Sequence, residues 1–478
     1  MTNYLNAMGK DIIFVHPPST YTPNVNPFYM LPVGVFSLAS RALQEGFDVE
    51  IVNLPLETSL TGFSPEEIVK SLDAEVFAIP LHWFVHADGA LETARILKGV
   101  NPSAKVVVGG MTATVFADEV VKSRYVDAVV LGEGEEGLLK YLKYTVRKVE
   151  PDDWSGVYVK LGKRLVRGGI GRPPELRNLD FVEGLKILRH WREYLRTGVS
   201  GLLSRQRPHF WVSVARGCLF DCIYCGGSRE GYRVTMGREG LAVRDPGEVA
   251  EEVAQLRDLG VEIIRLSHDP QMLGEKWWRK FFGLVKALDL RVYWESHRLP
   301  SRGIIEEAKR TFSMIDLAIS PETASDEVRF RAKRFFTNDM LLKALDILKD
   351  ERVLTEVFFL IGLPGETKDS ARLIPKFARM LVEGRDNVAI YPPIPYTIDP
   401  NSPMAMRPRE HGIKLFFKRL DDYRKASRGR RTIDFIGHET RELSRREIAR
   451  LTEEVFRRVM EIPQEEAVKL KIEFEEGG

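Results

Sequence analysis

WVSVARGCLFDCIYCGGS, residues 211–228, contains every cysteine of the 478-residue chain: Cys218, Cys222 and Cys225. The β-branched, apolar run that ends at Ala215 predicts a strand breaking at Gly217 into the cysteine loop. An odd, tightly clustered set cannot build a disulfide framework, and it points to a reducing compartment. Thiolates at C-x3-C-x2-C spacing can wrap a compact loop around one corner of an iron–sulfur cube, leaving the fourth iron without a cysteine. Zinc competes for the same residues, although a closed structural zinc site wants four ligands. No histidine lies in the loop; the nearest, His209, precedes it across the strand. Three inert, buried cysteines are the bland alternative.

Downstream of the loop, to about residue 400, short β-like runs alternate with amphipathic stretches. The runs are WVSVA (211–215), VEIIRLS (261–267), LRVYWES (290–296), MIDLAIS (314–320), LTEVFFLIG (354–362) and NVAIYPP (387–393). Between them lie helical patterns such as PGEVAEEVAQLRDLG and KDSARLIPKFARMLVEG. That order is the signature of parallel βα units. Six units in about 190 residues fit an incomplete barrel, since a full eight-unit barrel takes about 250. Polar and glycine residues concentrate at the strands' C-terminal ends, where such folds place their active groups.

The cysteine spacing, with Tyr224 before the third cysteine, resembles the signature of the radical S-adenosylmethionine (SAM) superfamily. The resemblance implies that Cys218, Cys222 and Cys225 hold a [4Fe–4S] cluster whose open iron chelates SAM. One electron then cleaves the sulfonium to a 5′-deoxyadenosyl radical, and Tyr224 neighbours the adenine. SPETASDEVRFRAKRFFT (320–337) resembles the family's Glu-Ser-Gly-Ser strand end, which implies SAM contacts for Glu322 and Ser325 and a carboxylate contact for Arg334. Thr323 and Ala324 depart from the family's Ser-Gly. FFLIGLPGET (358–367) resembles the fifth-strand signature, which implies that Ile361 and Gly362 pack against the adenosine. Asp269, Glu295 and Tyr391 are further polar groups at strand ends, with Glu295 the SAM candidate among them and satisfaction of local backbone the alternative for each.

Residues 11–146 read as a second α/β unit. DIIFVHPPS, FDVEIVNL, EVFAIPLHW, KVVVGGMTAT and VDAVVLGEGEEG supply five strand starts, and VGVFSLASRALQEG is a helix with a glycine stop. A doubly wound sheet is expected, with its ligand crevice beyond the strand carboxyl ends. GEGEEG (132–137) matches G-x-G-x-x-G literally. It follows the fifth strand instead of the first, however, and Glu133, Glu135 and Glu136 would repel a pyrophosphate. The domain instead resembles the cobalamin-binding type found ahead of many radical SAM barrels. Pro17-Pro18, Gly109-Gly110-Met111-Thr112-Ala113-Thr114 and Gly132-Glu133-Gly134-Glu135 carry that resemblance. It implies cobalamin contacts at Pro18, His82, Gly109, Gly110, Thr114, Gly132, Glu133 and Gly134. The D-x-H-x-x-G motif is absent, and the corresponding loop reads HPPSTYTP. His82 and His86 are rim candidates, against a packing role beside Trp83 and Phe84.

Seventy basic side chains against sixty-eight acidic ones leave a net charge of +2, so no dedicated nucleic-acid binder is indicated. MTNYLNAMGKD lacks a signal-peptide pattern, and no apolar stretch of about 18 residues suggests a membrane span. A soluble, cytoplasmic protein is expected. The domain expectation is a cobalamin-binding-type Rossmann-like unit at 1–150, a hairpin and basic helical linker at 151–208, a partial (β/α)6 barrel at 209–402 and a mostly helical cap over the barrel mouth at 403–478. Lys186, Arg189, Arg192, Arg196, Arg205 and Arg207, and a second run at 421–431, are either solvated faces or docking sites for an anionic substrate or acidic redox partner.

These resemblances together imply a radical SAM enzyme with a [4Fe–4S] cluster, SAM and cobalamin, methylating an unactivated carbon of a small-molecule, lipid or peptide substrate. Flavodoxin or ferredoxin is the expected electron donor. The alternatives are cyclisation or rearrangement without methyl transfer, and a non-catalytic iron–sulfur or cobalamin sensor. With no fourth cysteine, an auxiliary cluster held by cysteines is excluded, which disfavours sulfur-inserting relatives.

Overall fold

The computed structural model describes residues 9–19, 29–177, 179–197 and 206–476. All five strands expected before residue 150 form: β1 (Lys10–His16), β2 (Val49–Asn53), β3 (Ala74–Pro80), β4 (Lys105–Gly109) and β5 (Ala128–Val130). They pair in parallel in the order β2-β1-β3-β4-β5. Both faces of this sheet are covered, as all-parallel strands require; the helix Gly34–Gln44, for example, buries Val35, Phe36, Ala39 and Ala42. The order reverses between β1 and β3, so the chain opens a crevice at the C-terminal ends of those strands. The hairpin expected in the connector, β6 (Val157–Leu161) and β7 (Arg164–Arg167), pairs antiparallel onto β5 and extends the same sheet to seven strands.

The second sheet contains the six expected runs: β8 (His209–Val212), β11 (Ile263–Leu266), β12 (Arg291–Ser296), β13 (Met314–Glu322), β14 (Val353–Ile361) and β15 (Val388–Ile390). They are parallel and consecutive in space, from β8 at one edge to β15 at the other. Between β8 and β11, β9 (Ala215–Gly217) and β10 (Leu241–Val243) form a small antiparallel pair that carries the chain into and out of the cysteine segment. Side-chain alternation sorts this barrel's two surfaces. Phe210, Val212, Ile264, Leu266, Val292 and Trp294 are buried in the core beneath the helices. Trp211, Arg265, Tyr293, Glu295, Glu356 and Phe358 face the interior.

The last helix of the C-terminal region departs from the expected cap. Helix Glu465–Glu475 closes the barrel at the strands' N-terminal ends, with Phe474 buried beside Ile263, Tyr293 and Met314. It is a floor, and the mouth faces the N-terminal domain. The basic runs are also mostly spoken for. Arg189 pairs with Glu50 at 2.8 Å, Lys186 with Glu183 at 2.6 Å and Arg207 with Glu262 at 2.6 Å, while Arg192 lies over Trp191. Arg205 lies outside the described residues. In the second run, Arg424 and Arg428 close on Asp88 at 3.1 and 2.6 Å, and Tyr423 packs on Phe84 and Phe116 of the N-terminal unit.

The two sheets are joined by a buried ionic cluster. Arg216 on β9 places one guanidinium nitrogen 2.8 Å from Glu133 and another 2.6 Å from Glu135. Arg238 reaches Glu133 from the barrel side, 2.8 Å from Oε2. Glu133 and Glu135 are 6% and 5% exposed, so neither charge is compensated by water. The acidic glycine turn that repels a pyrophosphate is therefore the seat of barrel arginines. Arg216→Met leaves the carboxylates without this partner and is expected to lower unfolding stability by about 3 kcal/mol, measured by urea titration. Burial raises Glu135, but Arg216 outweighs it and holds the carboxyl below its ordinary value. Its contribution is therefore present above the unfolded carboxylate pKa, about 4.3, and is lost as pH falls through the lower folded value. The stability gap between the native chain and Glu135→Gln should shrink in that acid window.

Candidate active site

The cysteine loop leaves β9 at Gly217, whose φ is +94°. A Cβ there would lie 2.0 Å from Gly240 O, so only glycine turns the chain into the loop. The far side of the loop is gripped by the segment after β15. Asp399 accepts from the Gly226 amide at 2.9 Å, Asn401 donates to Gly226 O at 2.6 Å, and the Met404 amide donates to Ile223 O at 2.9 Å. The Phe220 amide donates to Cys218 Sγ at 3.4 Å. Burial pushes all three thiols up, so they hold their protons until a metal displaces them. Among the described residues no three His, Cys, Asp or Glu side chains close on a single ion position. A cube asks less convergence, because each thiolate binds a different iron. The donor set fits a three-thiolate cluster better than a closed zinc site.

Tyr224 donates its hydroxyl to Glu322 at 2.7 Å. Glu322 ends β13 beyond a register shift, with a left-handed φ of +66° that a non-glycine residue adopts only when its surroundings impose it. Burial pushes Glu322 up to about 7 against the pull of Arg334. Arg334 donates to Ser320 O at 2.9 Å and His297 O at 3.2 Å, and its Nε is buried without a hydrogen-bond partner. That orphaned donor beside the cysteine loop fits the carboxylate of a bound amino acid. Ser325 caps helix Asp326–Arg331 through the Val328 amide. Ile361 is buried. Gly362, at φ +110°, uses both backbone groups: its amide donates to buried Glu366 at 2.7 Å, and its carbonyl accepts from His438 Nε2 at 2.7 Å. Asp269 satisfies local backbone, accepting from the Gln271, His297 and Arg298 amides.

A cavity of about 1000 Å³ runs between the two sheets. On the N-terminal side it is lined by His82, Gly109, Gly110, Gly132, Glu133 and Gly134, all six at the expected glycine turns or the end of β3. It continues between apolar side chains of the first sheet, including Phe14, Val107 and Val130. Gly110, at φ +110°, lets its turn approach the His82 backbone, where a Cβ would lie 2.8 Å away. Burial lowers His82 to about 4, so its ring is neutral. Two candidates sit elsewhere: Pro18 packs its carbonyl on Gly89, and Thr114 bonds Gly110 O and the Gly132 amide, tying the two glycine turns together. A deep apolar slot beneath glycine turns fits a large planar cofactor with a tail. On the barrel side Glu295 is exposed to this cavity yet enclosed by protein, and burial raises it.

The radical SAM superfamily model matches residues 212–378, and the B12 binding domain model matches residues 25–142. The chain's barrel is a radical SAM domain. The chain carries a B12-binding-type domain ahead of the radical SAM barrel. It is 26% identical over 322 residues to an anaerobic magnesium-protoporphyrin IX monomethyl ester cyclase of Rubrivivax gelatinosus, covering 64% of this chain and 55% of that protein. It is 26% identical over 373 residues to an uncharacterized methyltransferase of Pyrococcus horikoshii, covering 77% of each. In fold it is similar to the radical SAM methyltransferase TsrM of Kitasatospora setae, with a TM-score of 0.63 at 14% identity over 85% of this chain and 79% of that one. The chain spans about half the length of the two cyclase relatives it matches.

Several residues of this region were not legible as site residues. Arg216 finds its partners more than 80 residues away, at Glu133 and Glu135. Arg329, 0% exposed, bonds Pro321 O, Thr323 O and Phe336 O and so shapes the Glu322 loop. Asp399 and Asn401 lie 170 residues or more from the loop they hold. Each single Cys→Ala variant at 218, 222 or 225 is expected to lose the broad visible absorption and the iron of anaerobically reconstituted protein. Gly217→Ala should lower both without touching a ligand. Stoichiometric zinc in native protein would overturn the cluster assignment.

Proposed function

We propose that this chain is a cobalamin-dependent radical SAM methyltransferase acting on an unactivated carbon. The observation that carries the reading is the single cavity onto which the glycine turns of one domain and the barrel interior of the other both open. When bound, a [4Fe–4S] cluster on Cys218, Cys222 and Cys225 supplies the electron that cleaves SAM, and cobalamin supplies a methyl group for the substrate carbon. The chain's own part is to bind, orient and exclude water.

In this reading Arg334 takes the SAM carboxylate with its unpartnered Nε. Tyr224, fixed by Glu322, flanks the adenine. Ile361 and the Cα face of Gly362 close on the adenosine, Ser325 holds its loop, and Glu295 contacts the cofactor from the cavity side. The turns at Gly109, Gly110, Gly132 and Gly134 give cobalamin close backbone approach, and neutral His82 lies at its rim. Glu133 acts through Arg216 to hold that wall against the barrel, and Pro18 and Thr114 support it. The apolar lining keeps water from a radical. Flavodoxin or ferredoxin is the proposed reductant. A small molecule, lipid or peptide is the proposed substrate.

Cyclisation is the second reading, favoured by the sequence similarity to the Rubrivivax cyclase. Under dithionite, cluster- and cobalamin-loaded protein is expected to convert SAM to 5′-deoxyadenosine and to form one S-adenosylhomocysteine per bound cobalamin without substrate. 5′-Deoxyadenosine alone would favour cyclisation. No SAM cleavage by cluster-replete protein would sink both readings. Arg334→Gln should weaken SAM binding by about tenfold or more, the worth of a charge-assisted hydrogen bond, measured by equilibrium dialysis.

A further inference from the structure

Helix Glu465–Glu475, which forms the barrel floor, lies outside both matched regions. Its Lys471 points into the barrel, with Nζ 2.9 Å from Asp316 Oδ2, 2.9 Å from Glu356 Oε1 and 3.2 Å from Glu475 Oε1. Tyr391 donates to the same Glu356 oxygen at 2.5 Å. Arg265 lies 3.3 Å from Glu475 and over the Tyr293 ring. Glu295 faces the cavity close enough to feel both Glu356 and Arg334, so the floor adjoins the side chains around the cysteine loop.

The charges do not balance. Four carboxylates, Asp316, Glu356, Glu475 and Glu295, meet three cations, Lys471, Arg265 and, at Glu295, Arg334. Lys471 and Arg265 are already paired. Asp316 is 0% exposed, and its Oδ1 has no hydrogen-bond partner. Burial and the neighbouring Glu356 hold Asp316 well above the usual carboxylate range, so a cation brought to the floor would displace a proton from it to water. Beside these acids stand aromatic faces open to the same cavity. Phe358 and Tyr391 stack with centroids 4.5 Å apart, and Trp211 meets Tyr293 edge-on. Carboxylates next to aromatic faces suit an organic cation. A substrate carboxylate would have to displace partners that Lys471 and Arg265 already hold.

We propose that the barrel floor recognises a positively charged nitrogen of the substrate, an amine or guanidine, with Glu356 as the acceptor it meets in the cavity. The inference rests on the proposed function only in taking this cavity as the substrate's, and its test needs no turnover. Protein loaded with cluster and cobalamin is titrated calorimetrically with 2-phenylethylamine, 2-phenylethanol and 3-phenylpropionate. The amine is expected to bind about tenfold or more tighter than the other two, the worth of one charge-assisted contact. Glu356→Gln should erase that preference with the corrin absorption intact. Asp316→Asn, a second variant should the first fail to load, should weaken it. Equal or absent binding of the three probes, preference for the propionate, or an amine preference unchanged in both variants would overturn the proposal. Amine preference in protein that forms no S-adenosylhomocysteine would uphold it while the methyl-transfer reading fell.

Discussion

The molecule depends on keeping one guanidinium, that of Arg216, between two carboxylates that belong to the other domain. It stands two residues ahead of the first cysteine and spans the gap from the barrel's cysteine segment to the glycine turn at residue 132. A buried pair of this kind contributes little net stability compared with an apolar contact of the same size. What it does is fix distance and direction. A reaction divided between two domains needs its groups held to within a fraction of an ångström, and apolar surfaces alone would let the two sheets slide. Arg238, from the same side, constrains Glu133 from a second direction.

The same logic of enclosed charge recurs through the interior. Glu322, Glu366 and Glu295 are each raised by burial. The chain keeps polar groups where an apolar core would be more stable and lines them with glycine turns and strained backbone. Such departures from local rules concentrate at functional sites. Here they cluster at the two cavity walls and around the cysteine loop, and the helix-facing surfaces of both sheets are ordinary apolar packing.

The strands were legible because their runs of Val, Ile and Phe are short, periodic and bounded by glycine or proline, as in VEIIRLS and KVVVGG. The cysteine spacing and the Glu322 loop were legible because their chemistry is local in sequence. What stayed hidden depends on long-range contact. Nothing in DPNSP announces that Asp399 and Asn401 will hold Gly226, and nothing in EEAVKLKIEFE announces that Lys471 will point into a barrel. Pro18 and Thr114 were read as cofactor contacts because they sit in recognisable turns, whereas Pro18 packs against Gly89 and Thr114 ties the two glycine turns together. The whole tail was expected above the barrel mouth, yet its last helix lies beneath the barrel, because its apolar face matches the residues at the strands' N-terminal ends. The hairpin at 157–167 read as a connector, since four to five residues per strand carry no sign of which edge they will join.

That hairpin decides what the first sheet shows to other molecules. An open parallel sheet has a bare row of amide and carbonyl groups at its margin, which invites pairing with a neighbour's strand. β7 ends the sheet with Arg164 and Arg167, and Arg167 leans over Tyr158 toward Asp118. At the opposite margin β2 is bridged by Leu188 opposite Ile51. Both flanks are thus blunted, one by charge and the other by the chain's own covering segment. Neither margin of the sheet therefore offers a bare edge for ribbon-like pairing with another chain.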